Sequence, residues 1–168
     1  FIKKESAYQF FKSLKENPAL ACDVEYMSGD DSLMERSRIL DNIKTNTNGI
    51  ILVATQVIEA GVDIDMDIGY KNISKLDSEE QFMGRINRSC LRDGEVYFFK
   101  LDEGKNIYRD GDIRVEKRFT LEDNEMKDIL LLKKFPLYYE KILDVLKRNR
   151  NDSSDDRGLD VFFKDCVG

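Results

Sequence analysis

A glutamine and two arginines are the side chains of this sequence whose spacing best suits the binding of phosphate. Gln81, Arg85 and Arg88 follow one another at intervals of four and three residues, so a helix would gather them within about a sixth of a turn. Two guanidinium groups on one face could bind a phosphate bidentately, and Gly84 would leave the backbone between them open. A solvated polar face is the alternative interpretation, and this segment alone does not decide between the two.

A second group of candidate residues follows an apolar strand. Ile50–Ala54 is apolar without alternation, which is typical of a parallel strand covered on both faces. Thr55 comes directly after it, where parallel sheets bind ligands, and its hydroxyl and nearby backbone amides could hold a phosphate oxygen. Gly61 would permit a turn, and Asp63 and Asp65 would project to the same side of an extended segment. Such carboxylates can orient water, bind a ribose hydroxyl or pair with an arginine.

Composition excludes several other kinds of site. The sequence contains no histidine, which rules out within these residues a Ser-His-Asp triad, a histidine-coordinated zinc and a histidine-rich nuclease centre. Its three cysteines match neither a disulfide framework nor a zinc pattern, so we expect ordinary thiols in a reducing cytoplasm. The acidic row at residues 63–67 is not a calcium loop, because Ile68 and Ser74 stand where that loop needs glycine and glutamate. The sequence therefore predicts no metal ligands.

Charge and hydropathy limit the partners. The net charge of −6 argues against a free-standing nucleic-acid binder held mainly by a basic surface, although a few specific residues could still contact phosphates. No apolar run approaches the ~20 residues of a membrane span, so we expect no membrane contact.

Helices and strands alternate along the first part of the chain, which predicts an α/β fold with a parallel sheet flanked by helices. Capping-box patterns predict helix starts at Ser6, at Ser32 and at Asp77 or Ser78, and the last of these helices is expected to reach about Arg88. Strands are expected at residues 21–27, 50–54, 68–73 and 95–101.

The sequence changes character after residue 101. Residues 121–134 have a helical pattern with Thr120 as a cap, and Pro136 fits the first turn of a further helix. We therefore expect one domain over residues 1–101 and a mostly helical C-terminal extension over residues 102–168. The predicted buried stripe of the last helix is Tyr138, Ile142, Val145 and Leu146.

Two ordered patterns resemble known helicase motifs. The pattern T-x5-G-x-D-x-D from Thr55 and the pattern Q-x-x-G-R-x-x-R from Gln81 resemble motifs V and VI of superfamily-2 helicases. The sequences V-A-T-Q-V-I-E-A-G-V-D-I-D and Q-F-M-G-R-I-N-R are most similar to the helicase–nuclease of type I CRISPR interference systems. Y-M-S-G at residues 26–29 resembles the neighbouring motif that contacts the nucleic-acid strand. The resemblance covers about residues 1–101, implies a second RecA-like lobe, and departs at Phe82, where the family usually has an arginine.

The resemblance implies roles around ATP. Arg88 would be the arginine finger that reaches the γ-phosphate across a cleft, and Arg85 would be a second phosphate contact. Gln81 would help to position the attacking water. Gly61 and Asp63 would couple the nucleotide state to the grip on the strand. These roles fit phosphoryl transfer, in which positioning and charge stabilisation supply most of the catalysis.

The resemblance also implies partners. Thr55 and Ser28 would hold the backbone of single-stranded DNA. No G-x-x-x-x-G-K-[ST] loop occurs in the sequence, so a first RecA-like lobe would have to supply the phosphate loop and the magnesium carboxylates, and we expect the chain alone to be inactive. Phe1-Ile2-Lys3 has the pattern of a strand end, so we expect the chain to be part of a longer protein. The resemblance also implies a CRISPR surveillance complex as a partner of that protein. Another superfamily-2 DNA translocase of restriction or repair and a non-catalytic interaction lobe are the alternatives.

Overall fold

The computed structural model describes residues 1–59, 62–102 and 112–152 of the chain. Short strands and helices alternate up to residue 99, and helices follow, which confirms the predicted α/β fold with a helical C-terminal part. The helices and strands are α1 (Lys4–Lys15), β1 (Asp23–Met27), α2 (Leu33–Thr45), β2 (Ile50–Ala54), β3 (Ile68–Asn72), α3 (Leu76–Met83), β4 (Glu95–Phe99), α4 (Asn124–Leu131) and α5 (Phe135–Asp152).

The α/β part is built from two strand–helix–strand halves. In the first half, which also includes α1, β1 and β2 pair in parallel with α2 between them in the chain. In the second half, β3 and β4 pair in parallel with α3 between them. Within the described residues the ladder hydrogen bonds lie inside these two pairs, so the sheet is divided between β2 and β3.

A cavity of about 760 Å³ lies between the two strand pairs and is lined along the full length of β2 and β3. Phe1 and Ile2 lie at one end of it, and the Phe1 backbone nitrogen lies 3.0 Å from the Ala54 carbonyl oxygen. The cavity explains why β2 is less covered than its apolar sequence predicts. Only Val53 and Ala54 are buried in this strand, and its first three residues are partly buried.

The first two helices differ in how they begin. Ser32 caps α2 as predicted, because its side chain accepts a hydrogen bond from the amide of Glu35 at 3.2 Å. The capping box predicted at Ser6 is wrong, because α1 already begins at Lys4. The Ser6 hydroxyl instead donates to the Asp102 carboxylate at 2.9 Å, which ties α1 to the end of β4.

The third helix is shorter than its periodicity predicts. It begins at Leu76, so the predicted cap at Asp77 or Ser78 is wrong, and Ser78 is a buried residue of the first turn. It ends at Met83 rather than near Arg88. After Gly84 the chain turns, and Ile86 forms a parallel bridge with Met66. A pairing with a distant segment therefore replaces the last helical turn.

The C-terminal helices share a core with α3. Asp123, not the predicted Thr120, caps α4, and Thr120 is buried. Tyr138 and Ile142 are fully buried as predicted, and Val145 and Leu146 are partly buried against them. In the described parts of the chain, no helix has the length and apolarity to cross a bilayer. The buried residues of this core are Leu76, Ile113, Phe119, Leu121, Met126, Ile129, Leu130, Tyr138 and Ile142.

Candidate nucleotide and nucleic-acid contacts

The acidic segment after β2 is extended, as predicted. Val62 and Ile64 are buried, whereas Asp63 and Asp65 alternate with them and are exposed. The two carboxylates therefore project to the same side. Gly61, which was expected to provide the turn into this segment, lies outside the described residues.

The acidic segment pairs with the turn that follows α3. The amide of Met66 donates to the Arg85 carbonyl at 3.0 Å, and the amide of Asn87 donates to the Met66 carbonyl at 2.7 Å. Asn87 has φ 45°, a left-handed conformation that asparagine tolerates better than most residues. Arg88 thus lies in a turn held against the acidic segment, and it does not share a helical face with Gln81.

The Asp65 carboxylate fixes the backbone of this turn. It accepts hydrogen bonds from the amides of Arg88 at 2.7 Å and Ser89 at 3.2 Å. Hydrogen bonds from Ser89 and from the Arg88 amide lower the pKa of Asp65 below its ordinary value. The ionised carboxylate is therefore the form that holds the turn in place.

The Arg88 side chain forms an ion pair with Asp63. Both side chains are exposed, Arg88 to 49% and Asp63 to 75%. Exposed pairs of this kind contribute about 1 kcal/mol or less, because water and salt screen them and both side chains lose rotamer freedom. Asp63 therefore orients the Arg88 guanidinium. Release of the guanidinium from this ion pair would cost little free energy.

The Arg85 side chain points to the segment that follows β2. It is partly buried, and its Nε and Nη2 atoms donate to the carbonyls of Ile58 at 3.3 Å and Glu59 at 3.2 Å. Gln81 is exposed on α3. The structure thus brings Arg88 to Asp63 and directs Arg85 to residues 58–59, so the single basic face predicted for one helix is not formed.

A buried charge cluster, which the sequence reading missed, lies beside Arg85. Lys71 is 5% exposed, and its ammonium lies 3.2 Å from the Glu59 carboxylate and 3.1 Å from the Glu79 carboxylate. The ammonium also donates to the Ser74 hydroxyl at 2.7 Å, and the Ser74 amide donates to Glu79 at 2.6 Å. Burial lowers the pKa of Lys71, but the two carboxylates raise it by more, so that the ammonium stays charged.

One sequence signal for this cluster was available. Lys71 shares the inward face of β3 with Gly69, which is buried, and a lysine on a buried face requires a paired anion. The identity of the anions could not be read in the same way, because Glu59 and Glu79 lie on other elements.

Thr55 and Ser28 lie side by side at the carboxyl ends of β2 and β1. The register pairs Met27 with Ala54, and the amide of Thr55 donates to the Met27 carbonyl at 3.1 Å. Both residues are almost covered, with exposures of 8% for Thr55 and 2% for Ser28. The Ser28 hydroxyl accepts a long hydrogen bond from the Asp30 amide at 3.4 Å. A ligand at this edge would meet mainly their backbone groups and the surrounding turn.

Phe82 belongs to the core of the second half. Its side chain is 7% exposed and its ring packs against Gly69, where an added Cβ would lie 2.8 Å from the ring. The family's usual arginine would place a charge in this contact. In this chain the Phe82 ring thus packs where the neighbouring strand has a glycine.

The donor chemistry of the exposed Gln81 and Arg88 side chains suits phosphate oxygens. Gln81 and Arg88 present an amide and a guanidinium to solvent, and both groups donate hydrogen bonds. Within the described ranges, the carboxylates and cysteines form no group of three that could hold a metal. Phosphates such as those of ATP thus fit the hydrogen-bond donors present.

Known proteins resemble the part of the chain that contains every candidate residue. A family described as "CRISPR-associated nuclease/helicase Cas3, C-terminal" matches residues 4–90. A curated relative, the "CRISPR-associated nuclease/helicase Cas3" of Methanothermobacter thermautotrophicus, is 36% identical over 76 residues, which covers 39% of this chain. The match spans 9% of that relative's length.

Proposed function

The chain belongs to the family of C-terminal domains of Cas3-type CRISPR-associated nuclease/helicases, and from this premise we propose that it is the second RecA-like lobe of an ATP-dependent helicase that unwinds foreign DNA for degradation. The lobe would supply an arginine finger and contacts to single-stranded DNA. The chain spans only a small part of its curated relative, so the nuclease and the first helicase lobe belong to the proposal for a whole protein.

The exposed guanidinium of Arg88 carries the proposal. It extends from a turn whose backbone is fixed by Asp65, and among the described residues its partner is Asp63, in an exposed ion pair. A cation that is fixed at its backbone and weakly held at its tip can exchange a carboxylate for a phosphate oxygen when another lobe closes on it. An arginine delivered in this way stabilises negative charge that develops during phosphoryl transfer.

The other candidate residues take supporting roles. Gln81 would help to position the attacking water from its exposed place on α3. Arg85 would be a second phosphate contact, with its guanidinium aligned by the carbonyls of residues 58–59. Gly61 and Asp63 would couple the nucleotide state to the grip on DNA.

The remaining contacts involve other parts of the assembly. Thr55 and Ser28 would line the path of the single strand at the carboxyl edge of β1 and β2. A first lobe would bind ATP with magnesium, and a CRISPR surveillance complex would deliver the DNA. The fragment alone is proposed to be inactive, because it contains half of the ATP site.

Replacement of the finger tests the proposal. In the full-length protein, Arg88→Ala should lower DNA-stimulated ATP hydrolysis by about a thousandfold or more, as loss of an arginine finger does. The unfolding temperature should hardly change, because the side chain is exposed and makes one exposed ion pair.

Arg92→Ala is the matched control. Arg92 forms a similar exposed ion pair with Asp67 at 3.0 Å, and it is not a candidate contact. This variant should retain ATP hydrolysis. Undiminished hydrolysis by Arg88→Ala would refute the finger assignment, and a wild-type protein without DNA-stimulated hydrolysis would favour a non-catalytic interaction lobe.

A further inference from the structure

The two halves of the α/β part carry different candidate contacts. Ser28 and Thr55 lie at the edge of the first half, whereas Gln81, Arg85 and Arg88 belong to the second half or to the turn that follows its helix. In the described residues, the strand ladders and the main packing of helices on strands stay within each half. Side chains that join the halves are therefore one route of communication between the two groups of contacts, beside the acidic segment that pairs with the turn at Arg88.

Glu59 makes two such connections at once. Its carboxylate pairs with Lys71 of β3 at 3.2 Å, and its backbone carbonyl accepts a hydrogen bond from Arg85 at 3.2 Å. Glu59 ends the short 3₁₀ turn (Gln56–Ile58) that starts directly after Thr55. A shift of the chain at Thr55 would thus reach Glu59 within one turn.

Lys71 carries the connection into α3. Its ammonium lies between the carboxylates of Glu59 and Glu79, and Glu79 is completely buried in the first turn of the helix that bears Gln81. Separating the charged Glu59 carboxylate from this ammonium is unfavourable because little water can replace the contact there, although Lys71 would still be paired with Glu79. The cluster therefore constrains Glu59 and α3 to keep a fixed separation.

We propose that Glu59 is a positioning residue that, through Lys71 and Glu79, couples the single-strand contacts of the first half to the nucleotide contacts of the second. The inference rests on the proposed helicase function and adds to it three residues that touch neither ligand. Movement of the Thr55 turn by DNA is transmitted to α3 and to Arg85 as a rigid displacement.

A second contact between the halves provides a comparison. Asp102 follows β4 and accepts hydrogen bonds from the Lys3 amide at 3.3 Å and the Ser6 hydroxyl at 2.9 Å. It joins α1 to the end of the second half, and among the described residues its hydrogen bonds go to Lys3, Ser6 and Asn72 rather than to a candidate contact. If any contact between the halves sufficed for coupling, weakening this one would have the same effect as weakening the one at Glu59.

The test measures coupling in the full-length protein. The dissociation constant of a fluorescent oligo(dT) is determined with and without a non-hydrolysable ATP analogue, and the ratio of the two constants is the coupling factor. Glu59→Ala removes the carboxylate and leaves Lys71 paired with Glu79, so the cluster becomes neutral without stranding a charge. We expect the coupling factor to move toward unity by about threefold or more. Mutations along networks between two sites typically produce changes of this size.

Two control variants should keep the wild-type factor. Glu25→Ala removes a carboxylate of similar exposure, 14% for its side chain against 13% for Glu59, which pairs with Arg38 far from the cluster. Ser6→Ala weakens the Asp102 contact between the halves. An equal loss of coupling in Ser6→Ala would overturn the inference, since general loosening would then explain the result.

A double variant guards against a folding defect in Glu59→Ala. Lys71→Met with Glu79→Gln cuts the same connection from the other side and keeps an acceptor for the Ser74 amide. It should lower the coupling factor to the same extent. A wild-type factor in either cut variant would refute the coupling role alone, whereas a wild-type protein that binds neither oligo(dT) nor nucleotide would refute the proposed function and this inference together.

Discussion

The Asp65 carboxylate positions Arg88 through its backbone amide and does not contact its guanidinium. Its two oxygens accept hydrogen bonds from the amides of Arg88 and Ser89, while the side chain of Arg88 pairs with Asp63. The backbone and the tip of Arg88 are therefore fixed by different acids. Loss of Asp63 would free the tip, and loss of Asp65 would loosen the backbone at Arg88 and Ser89, while the hydrogen bonds to Met66 would still hold Arg85 and Asn87.

This division predicts a pH effect on the turn. Hydrogen bonds from Ser89 and the Arg88 amide hold the pKa of Asp65 below its ordinary value of 3.8, so folding favours the ionised form. The stabilisation is complete above pH 3.8 and is lost as the pH falls through the lower folded-state pKa. The amide proton shifts of Arg88 and Ser89 should therefore titrate together, with a midpoint below 3.8.

Two neighbouring variants define the source of that titration. Asp65→Asn should abolish it, and Asp67→Asn, which alters the exposed pair with Arg92, should leave it intact. A midpoint at or above 3.8 in the wild-type chain would contradict the account of the hydrogen bonds.

At the scale of elements, β3 and α3 meet at a glycine. A Cβ on Gly69 would lie 2.8 Å from both the Ile86 Cδ1 atom and the Phe82 ring, so both side chains, or the strand itself, must move. Gly69→Ala should lower the free energy of unfolding by about 1–3 kcal/mol, as overpacking of a core does. Urea unfolding of the chain measures this loss.

Gly29→Ala is the control for added volume. The nearest atom to its added Cβ would be the Val57 Cγ1 atom at 3.9 Å, which is ordinary contact. Its free energy of unfolding should stay within about 0.5 kcal/mol of the wild-type value. Equal losses in the two variants would show that β3 and α3 are not closely packed at Gly69.

The sequence predicted the strands better than the helix ends. Runs of apolar residues locate β2 and β4 because burial depends on the residues of the strand itself. The end of α3 was missed because the bridge between Met66 and Ile86 joins residues far apart in the chain, and this pairing outweighs local periodicity. The serine patterns at Ser6 and Ser78 were misread because both side chains lie in contacts that form only after folding.

The candidate site was predicted in part for the same reason. Motif spacing selected Arg88 and Asp63 as candidates, and the structure pairs their side chains, which is one of the three uses that the sequence left open for Asp63. The direction of the Arg85 side chain toward Glu59 was not predictable from the sequence. Its acceptors are backbone carbonyls, which every residue type has. The roles of these residues in hydrolysis and DNA binding remain the proposal stated above.

At the scale of the whole molecule, the C-terminal helices continue the core of the helicase lobe. Leu76 of α3 is buried in one cluster with Tyr138 and Ile142 of α5. This packing crosses the predicted boundary after residue 101, which stays a prediction. The orientation of α3, and with it that of Gln81, therefore depends on a part of the chain outside the helicase motifs.

A cavity in this shared core should therefore also destabilise α3. Ile142→Ala should lower the free energy of unfolding by about 2–5 kcal/mol, because the side chain is 1% exposed. Amide hydrogen exchange should accelerate in α3 as well as in α5. Leu137→Ala, on the same helix but 46% exposed, is the control and should leave exchange in α3 unchanged. Acceleration confined to α5 would indicate that the C-terminal helices form a separate unit.

The divided sheet also affects how the chain behaves in concentrated solution. Where β2 and β3 face the cavity, the described residues leave backbone donors and acceptors of both strands without a ladder partner. Open strand edges of this kind recruit extended segments from other molecules. Solubility and monodispersity of any protein that contains this lobe therefore depend on whether an extended segment occupies the space between β2 and β3.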